Sequence, residues 1–255
     1  MALSSFFVSL QSDMKHFALI GTSLKHSYSK EYFDAQHFAD ADYTLCEMPS
    51  LDHLRRWVEE RQISGFNVTF PFKQQVIKHL DALSPEAERI GAINCVVIDE
   101  GRLIGHNTDA PAFQQTLLKI KNEELRIKNF SQAYILGTGG AAHAVAYALE
   151  QLGIPYRFVS RHPEQHPNAL GYTDFTSHHS PLTLLINATP AGLPFTPPSL
   201  PIHSPFTPHY VYDLNYNPSP TPLMEWASTM GAHTCDGLAM LHLQAELSWH
   251  LWGLK

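Results

Sequence analysis

Three short segments of the sequence carry side chains that could bind or transform a small molecule. Asn67-Val68-Thr69-Phe70-Pro71-Phe72-Lys73 supplies amide, hydroxyl and amine groups, Gly91-Ala92-Ile93-Asn94 a second amide, and Gly105-His106-Asn107-Thr108-Asp109 a carboxylate. Each segment is predicted to end a strand, and ligands of α/β sheets bind beyond the carboxyl ends of the strands. The combination therefore predicts one site that contains Lys73, Asp109, Asn94 and Thr69.

Each of these residues also has a purely structural interpretation. Lys73 could be an exposed lysine in the first turn of a helix that runs to Leu80, although the helix dipole disfavours a lysine there. Asp109 could cap a helix that begins at Ala110, and Asn94 could be an ordinary turn residue. Taken singly, each side chain leaves both interpretations open, and only their combination favours a site.

A second candidate site is the glycine-rich segment Gly137-Thr138-Gly139-Gly140-Ala141-Ala142, which lies between a predicted strand and a predicted helix. In this setting the GxGxx(G/A) pattern binds a dinucleotide, because the backbone can approach a pyrophosphate and the helix N-terminus offers unpaired N–H groups. The alternative is a bare glycine turn. The context of strand, loop and helix favours the dinucleotide.

The strand after the glycine loop ends at Ser160-Arg161, where an NAD site would present an acidic residue to the ribose. Arginine can instead make a bidentate contact with a 2′-phosphate. The sequence therefore favours NADP over NAD, and an exposed arginine without a binding role is the alternative.

These segments are positioned by predicted strands that alternate with helices through most of the chain. The predicted strands cover residues 17–20, 43–47, 132–136, 156–160, 182–188 and 210–214. The predicted helices cover residues 29–38, 51–60, 139–152 and 238–252, with another that starts near Pro111. This alternation predicts an α/β fold whose sheets are mainly parallel.

A polar run over residues 119–124 indicates a boundary between two halves of the chain. The final helix is apolar on most faces and must lie between other elements, so we expect it to pack against the first half. Within it, Gln244 must find a partner if it is buried, and this partner could be backbone. The predicted domains are residues 1–110 together with 237–255, and residues 111–236.

The proline-rich stretch 181–222 is expected to be mostly loop, and Tyr216 could simply pack beneath it.

The composition argues against several classes of function. The chain has 255 residues, a formal net charge of −7 and 16% charged residues, which disfavour a general binder of nucleic acid or anionic membranes. No apolar run approaches the ~20 residues that span a bilayer. Three scattered cysteines suit reduced thiols in a cytosolic protein. We expect no metal site, since Pro163 and Pro167 disfavour a helix that would pair His162 with His166. We also expect residues 1–13 to be a dispensable extension.

The ordered motifs resemble those of the shikimate dehydrogenase family over nearly the whole chain. They are His26-Ser27-Tyr28-Ser29, the segments at Asn67, Gly91 and Asn107, the glycine loop, Ile186-Asn187-Ala188-Thr189, Tyr212-Asp213-Leu214-Asn215-Tyr216, and Asp236-Gly237-Leu238 with Gln244. The resemblance implies a mainly parallel α/β substrate domain, completed by the C-terminal helix, and a Rossmann-type NADP-binding domain. It implies a cytoplasmic enzyme, a monomer or homodimer, whose partner is a small-molecule substrate and not a nucleic acid or a membrane.

The activity implied by the resemblance is the reversible, NADPH-dependent reduction of 3-dehydroshikimate to shikimate in chorismate and aromatic amino-acid biosynthesis. Lys73 and Asp109 would be the catalytic pair. The implied substrate-binding residues are Ser27, Ser29, Thr69, Asn94, Asp109, Tyr216 and Gln244. The implied cofactor-binding residues are Gly137, Thr138, Gly139, Gly140, Ala141, Ser160, Arg161, Thr189, Leu214 and Gly237.

Two alternatives stay open on the sequence. A quinate or quinate/shikimate dehydrogenase would use NAD, against which Arg161 argues. A catalytically silent NADP-binding sensor would be expected to lack Lys73 or Asp109, and both are present. The chain departs from the usual family pattern at Lys30, Ala110 and Ala239, which replace a proline and two glycines without removing a reacting group.

Overall fold

The computed structural model describes residues 14–25, 27–123, 130–175, 183–192 and 208–254, without the side chains of residues 121–123. The predictions for residues 1–13 and His26, and for most of the proline-rich stretch, lie outside these ranges. The described residues form two six-stranded sheets, one from each half of the chain. Within these ranges, no helix combines the length and the apolar character that crossing a bilayer requires.

The first half of the chain forms a mixed sheet. Its strands are β1 (Lys15–Gly21), β2 (Ala41–Glu47), β3 (Ile63–Val68), β4 (Ala82–Leu83), β5 (Cys95–Asp99) and β6 (Arg102–His106), in the spatial order β2-β1-β3-β5-β6-β4. Its helices are α1 (Ser29–Asp34), α2 (Leu54–Glu60), α3 (Phe72–Gln75), which continues as a 3-10 helix (Val76–His79), and α4 (Pro85–Ile90). The last five residues of β1 are all buried, as expected for a central strand covered on both faces.

One strand of this sheet runs against the others. β5 is antiparallel to both β3 and β6, because it forms a hairpin with β6 through the two-residue turn Glu100-Gly101, where both residues have positive φ. The prediction that Asn94 ends a strand is therefore wrong, since Asn94 directly precedes β5. Because β5 is reversed, its start lies at the same edge as the ends of β3 and β6, and all three polar segments still meet there.

The second half of the chain forms a fully parallel sheet. Its strands are β7 (Gln132–Leu136), β8 (Tyr156–Ser160), β9 (Ala169–Gly171), β10 (Thr183–Asn187), β11 (Tyr210–Asp213) and β12 (His233–Cys235). Its helices are α5 (Asp109–Glu123), α6 (Gly140–Gln151), α7 (Tyr172–Phe175) and α8 (Pro222–Thr229), with a 3-10 helix at Pro163–Gln165. The spatial order β9-β8-β7-β10-β11-β12 is that of a dinucleotide-binding sheet, whose switch point lies between β7 and β10.

The last helix, α9 (Leu238–Leu251), contacts both halves. Met240 belongs to the apolar core on one face of the second sheet, whereas Trp249 packs in the core of the first. Just beyond the helix, Trp252 stacks on Phe17 with ring centroids 4.5 Å apart and donates its indole N–H to the carbonyl of Val96 at 3.0 Å. The predicted α/β fold with a Rossmann-type second half is confirmed, while the domain boundaries stay a prediction.

Candidate active site

The centre of the site is an ion pair between Lys73 and Asp109. Lys73 lies in α3, just after β3, and Asp109 is the first residue of α5, just after β6. The amine of Lys73 lies 2.6 Å from Asp109 Oδ2, and the two side chains are only 19% and 7% exposed. A charge-assisted hydrogen bond in such a shielded place holds the lysine in one orientation. The ammonium keeps further N–H groups that can donate to a ligand.

Asn107, not Asp109, caps α5. The side-chain oxygen of Asn107 accepts a hydrogen bond from the backbone N–H of Ala110 at 3.0 Å, which is the contact expected of an N-cap residue. The amide nitrogen of Asn107 donates to the carbonyl of Ala92 at 2.8 Å. The carboxylate of Asp109 is thus available to Lys73 and to Asn94, and the interpretation of Asp109 as a helix cap is wrong.

Asn94 joins the carboxylate to the final helix. Its amide nitrogen lies 3.0 Å from Asp109 Oδ1, 2.8 Å from Thr108 Oγ1 and 3.2 Å from Gln244 Oε1. The other end of Gln244 donates to the carbonyl of Leu241 at 2.9 Å. The polar side chain in this apolar helix is therefore paired both with backbone and with the site.

A layer of buried polar residues lies beneath Asn94, and two of its members, Tyr43 and Ser248, were not assigned a role from the sequence. Its members are Tyr43, Asn67, Thr108 and Ser248. Asn67 accepts from the hydroxyl of Tyr43 at 2.8 Å and donates to the carbonyl of Asn94 at 3.0 Å and to Ser248 Oγ at 2.9 Å. Thr108 donates to the carbonyl of Gln244 at 2.9 Å. The only signal for Ser248 was its position four residues after Gln244, on the same face of the helix.

Tyr216 and the two serines form a second group. The ring of Tyr216 lies 5.5 Å from that of Tyr28, between Ser27 and Ser29 in the chain, and the backbone N–H of Ser29 donates to Ser27 Oγ at 3.3 Å. Burial raises the pKa of Tyr216, and a hydrogen bond from the backbone of Tyr28 partly offsets this. Among the described residues, no hydrogen bond connects this group to the ion pair.

Thr69, one of the predicted substrate-binding residues, is fixed mainly through its backbone. Thr69 follows β3 directly, its N–H donates to the carbonyl of Ile20 at 3.0 Å, and its carbonyl accepts from Phe72 at 2.9 Å. These bonds hold its half-exposed side chain at the same sheet edge as Lys73. Ala110, one of the departures noted in the sequence, is 2% exposed, and its N–H donates to the side chain of Asn107.

The glycine loop connects β7 to α6 at the switch point of the second sheet. Gly137 has a φ of +98°, a left-handed conformation that favours glycine, and a methyl group added there would lie 2.9 Å from Thr189 Cγ2. At Gly139 an added methyl group would meet no atom within 4 Å, so space is open in front of the first turn of α6. Thr138 and Ala141 flank this opening in the chain. A helix N-terminus facing open space fits a phosphate group.

Arg161 lies immediately after β8 with an exposed side chain. Burial raises the pKa of Tyr172, and the nearby guanidinium of Arg161 partly offsets this. Ser160 accepts a hydrogen bond from the N–H of His162 at 3.0 Å and so fixes the turn that carries Arg161. An exposed guanidinium at the end of this strand fits a second phosphate.

Thr189, Leu214 and Gly237 come together beyond β10 and β11. Asn187 accepts from the N–H of Thr189 at 3.0 Å and from its hydroxyl at 2.7 Å, and its carbonyl accepts from Leu214 at 3.0 Å. A methyl group added to Gly237 would lie 2.1 Å from the carbonyl oxygen of Leu214. Glycine is therefore required there for the chain before α9 to approach β11.

These loops are supported by the buried carboxylate of Asp213. It accepts hydrogen bonds from Asn187 at 2.9 Å, from the N–H of Asn215 at 3.0 Å and from the hydroxyl of Thr221 at 2.7 Å. Burial raises the pKa of Asp213 to about 6, against the opposing effect of these three donors. Asp213 thus links β10, β11 and the start of α8.

Comparison with known proteins gives consistent results. The family model described as shikimate dehydrogenase substrate binding domain matches residues 19–96. A relative from Thermus thermophilus, named shikimate dehydrogenase (NADP(+)), is 37% identical over 94% of this chain and 92% of its own. The crystal structure of shikimate 5-dehydrogenase from another strain of the same species, in complex with NADP(H) and shikimate, is 34% identical, with a TM-score of 0.79 and 94% of each chain covered. A quinate dehydrogenase from Corynebacterium glutamicum in complex with NAD is 28% identical, with a TM-score of 0.79 and 95% of each chain covered.

Proposed function

The chain belongs to the shikimate dehydrogenase family, and we propose that it catalyses the reversible, NADPH-dependent reduction of 3-dehydroshikimate to shikimate in chorismate biosynthesis. The observation that carries the proposal is the position of the Lys73–Asp109 pair against the first turn of α6, where the glycine loop ends. A ketone reductase needs a proton donor beside the place where a dinucleotide binds. In this chain the aliphatic stem of Lys73 lies against Gly140, the residue at which the glycine loop meets α6.

The residues of the glycine loop fit the dinucleotide. Open space at Gly139 and the N-terminus of α6 suit the pyrophosphate, and the exposed Arg161 suits a 2′-phosphate. Ser160 fixes the turn of Arg161, while Thr189, Leu214 and Gly237 would border the nicotinamide end. When bound there, NADPH supplies the hydride for the carbonyl carbon.

The proton for the carbonyl oxygen comes from Lys73 in this mechanism. Its ammonium donates the proton as the alkoxide forms, and the neutral amine takes it back in the oxidation direction. Asp109 accepts a hydrogen bond from the amine at 2.6 Å and so fixes the direction of the remaining N–H groups. Asn94 holds the other carboxylate oxygen at 3.0 Å, which prevents rotation of Asp109 away from the lysine.

The substrate carboxylate is assigned to Ser27 and Ser29, whose segment is bordered by Tyr216. The ring hydroxyls are assigned to residues at the sheet edge and on α9, namely Thr69, Asn94, Asp109 and Gln244. We further propose the domain division 1–110 with 237–255, and 111–236, a cytoplasmic location, and a monomer or homodimer. The packing of Ala245 and Trp249 of α9 in the core of the first half supports the discontinuous first domain.

The proposal is tested by steady-state kinetics of four oxidations and one reduction. Shikimate and quinate are each oxidised with NADP+ and with NAD+, and 3-dehydroshikimate is reduced with NADPH. The expected result is the highest kcat/KM for shikimate with NADP+. A higher kcat/KM for quinate with NAD+ would favour the quinate dehydrogenase, and NADPH binding without turnover would favour a silent sensor.

A further inference from the structure

Gly140, the first residue of α6, lies directly against the catalytic lysine. A methyl group added to Gly140 would lie 2.7 Å from Lys73 Cβ, 3.3 Å from Lys73 Cδ and 3.2 Å from Ala92 Cβ. The backbone of Gly140 is helical and does not itself require glycine. The missing side chain therefore serves the close approach of α6 to α3, and not a special backbone conformation.

The neighbours of Gly140 cannot give way easily. The carbonyl of Lys73 accepts a hydrogen bond from the N–H of Ile93 at 2.7 Å, and Ala92 is completely buried. Lys73 and Ala92 are thus held to one another, and the atom of Lys73 that a methyl group would meet is Cβ, next to the backbone. A closely packed contact of this kind transmits displacement because interiors have little free volume.

The first turns of α6 are also held to the first half of the chain. Nδ1 of His143 lies 3.2 Å from the carbonyl oxygen of Ile90, and Ala144 packs in a small buried cluster with Ile90, Ala92 and Ala110. A side chain at position 140 must therefore either displace Lys73 or separate α6 from this cluster. Both changes would move the lysine relative to the cofactor loop.

We propose that Gly140 is a positioning residue for Lys73, with a role distinct from that of Gly139 in the same loop. This inference rests on the proposed function. Gly139 borders open space suited to a phosphate, whereas the space that a side chain at position 140 would need is occupied by Lys73. The contact couples the dinucleotide-binding helix to the proton donor, so that the amine stays in bonding distance of Asp109 only while position 140 has no side chain.

The test compares Gly140→Ala with Gly139→Ala and with Gly171→Ala in the full-length protein. Gly171 pairs with Ser160 in the sheet and is a control for Lys73 only, since a methyl group there meets only Asp174 Oδ2 at 3.6 Å and Pro163 Cγ at 3.8 Å, which is ordinary contact. Gly140→Ala is expected to lower kcat by roughly 10- to 100-fold, the scale of a small misplacement of a catalytic group, while the Kd for NADP+ changes by less than about threefold. Gly139→Ala is expected to raise that Kd more than it lowers kcat, and Gly171→Ala to leave kcat unchanged.

A second measurement is independent of turnover. The rate at which trinitrobenzenesulfonate labels Lys73, followed by peptide mass spectrometry, should rise several-fold in Gly140→Ala and not in Gly171→Ala. Unchanged kcat and unchanged labelling in a folded Gly140→Ala protein would overturn the inference, as would equal losses of kcat and NADP+ affinity. If the wild-type protein does not reduce 3-dehydroshikimate, the proposed function fails. The labelling experiment still tests whether a side chain at position 140 displaces Lys73.

Discussion

At the level of single residues, the site depends on a division of roles between Asn107 and Asp109. A carboxylate at the start of a helix normally has a structural use as the cap. Here the side chain of Asn107 caps the helix, and the two oxygens of Asp109 contact Lys73 and Asn94. The two residues are two positions apart, so the sequence could not show which of them would reach the helix N-terminus.

Replacing the proton donor should affect turnover more than binding. We expect Lys73→Ala to lower kcat by roughly 10² to 10⁴, the usual range for loss of a general acid or base, with a smaller effect on KM. Lys78→Ala is the matched control, since Lys78 is an exposed lysine in the adjoining 3-10 helix. Steady-state kinetics on both variants measure the effect. Near-normal turnover of Lys73→Ala would rule out the assigned role.

Arg161 should distinguish NADPH from NADH. Loss of a charged hydrogen-bond partner of the 2′-phosphate is expected to weaken NADPH binding by about 1.5–3 kcal/mol in Arg161→Ala. The affinity for NADH, which lacks that phosphate, should change little. Titration of the same variant with both cofactors provides the internal control. Equal losses for the two cofactors would contradict the 2′-phosphate assignment.

At the level of elements, the ends of strands carry the site, and buried polar groups fix those ends. Asp213 does this for β10 and β11, whose loops carry Thr189 and Leu214. Its three donors come from residues that are separated by up to 34 positions in the chain, between Asn187 and Thr221. Such a carboxylate stabilises the arrangement of the loops, although its burial in the charged form is costly.

The raised pKa of Asp213 gives the stability a pH dependence with a defined sign. The folded protein holds this proton up to about pH 6, whereas an unfolded aspartate loses it near the ordinary aspartate pKa of 3.8. The stability contributed by the protonated group is therefore present at low pH and is lost as pH rises through this window, by a total of roughly 3 kcal/mol. In Asp213→Asn this loss is absent, so its free energy of unfolding relative to wild type should increase between pH 4 and pH 7.

Urea unfolding of both proteins across that pH range measures the difference. Asp99→Asn, at the exposed end of β5, controls for the loss of one carboxylate elsewhere in the chain. A constant difference between Asp213→Asn and wild type at all pH values would show that Asp213 does not titrate as its burial suggests.

At the level of the whole molecule, α9 holds the two sheets together and also belongs to the site. Ser248 is fully buried on this helix, accepts from Asn67, and lies 3.2 Å from Thr108 Oγ1. It therefore connects the last helix to β3 and to the segment before α5. The position of Asn94 depends on these contacts, because Asn67 and Thr108 both bond to it.

Removing this hydroxyl should cost stability. We expect Ser248→Ala to lower the free energy of unfolding by about 1–3 kcal/mol, because a buried donor on Asn67 loses a partner. Ser228→Ala, an exposed serine of α8, should change it by less than about 0.5 kcal/mol. Denaturant unfolding of both variants measures the contrast, and equal effects would contradict the structural importance of the buried network.

Much of the architecture could be predicted from the sequence because the local sequence patterns agree with the fold. The alternation of strands and helices, and the glycine loop after β7, predicted the parallel second sheet. α4 and α8 were missed although their starts are marked, by Ser84 before Pro85 and by Thr221 before Pro222, and both residues do cap. The strands β4, β9 and β12 have two or three residues each and carry no periodic signal of their own.

The sequence by itself determined the α/β class, the dinucleotide loop and the set of reacting side chains, because these depend on residue type and on spacing along the chain. The tertiary structure alone decided the reversed direction of β5, the capping of α5 by Asn107, and the contact between Gly140 and Lys73. The pairing of β5 with β3 and the contact between Gly140 and Lys73 depend on which distant segments are neighbours in space, whereas the cap depends on which of two nearby side chains reaches the N–H of Ala110. Residues 67 positions apart, such as Lys73 and Gly140, acquire a shared role only when the two sheets are packed together.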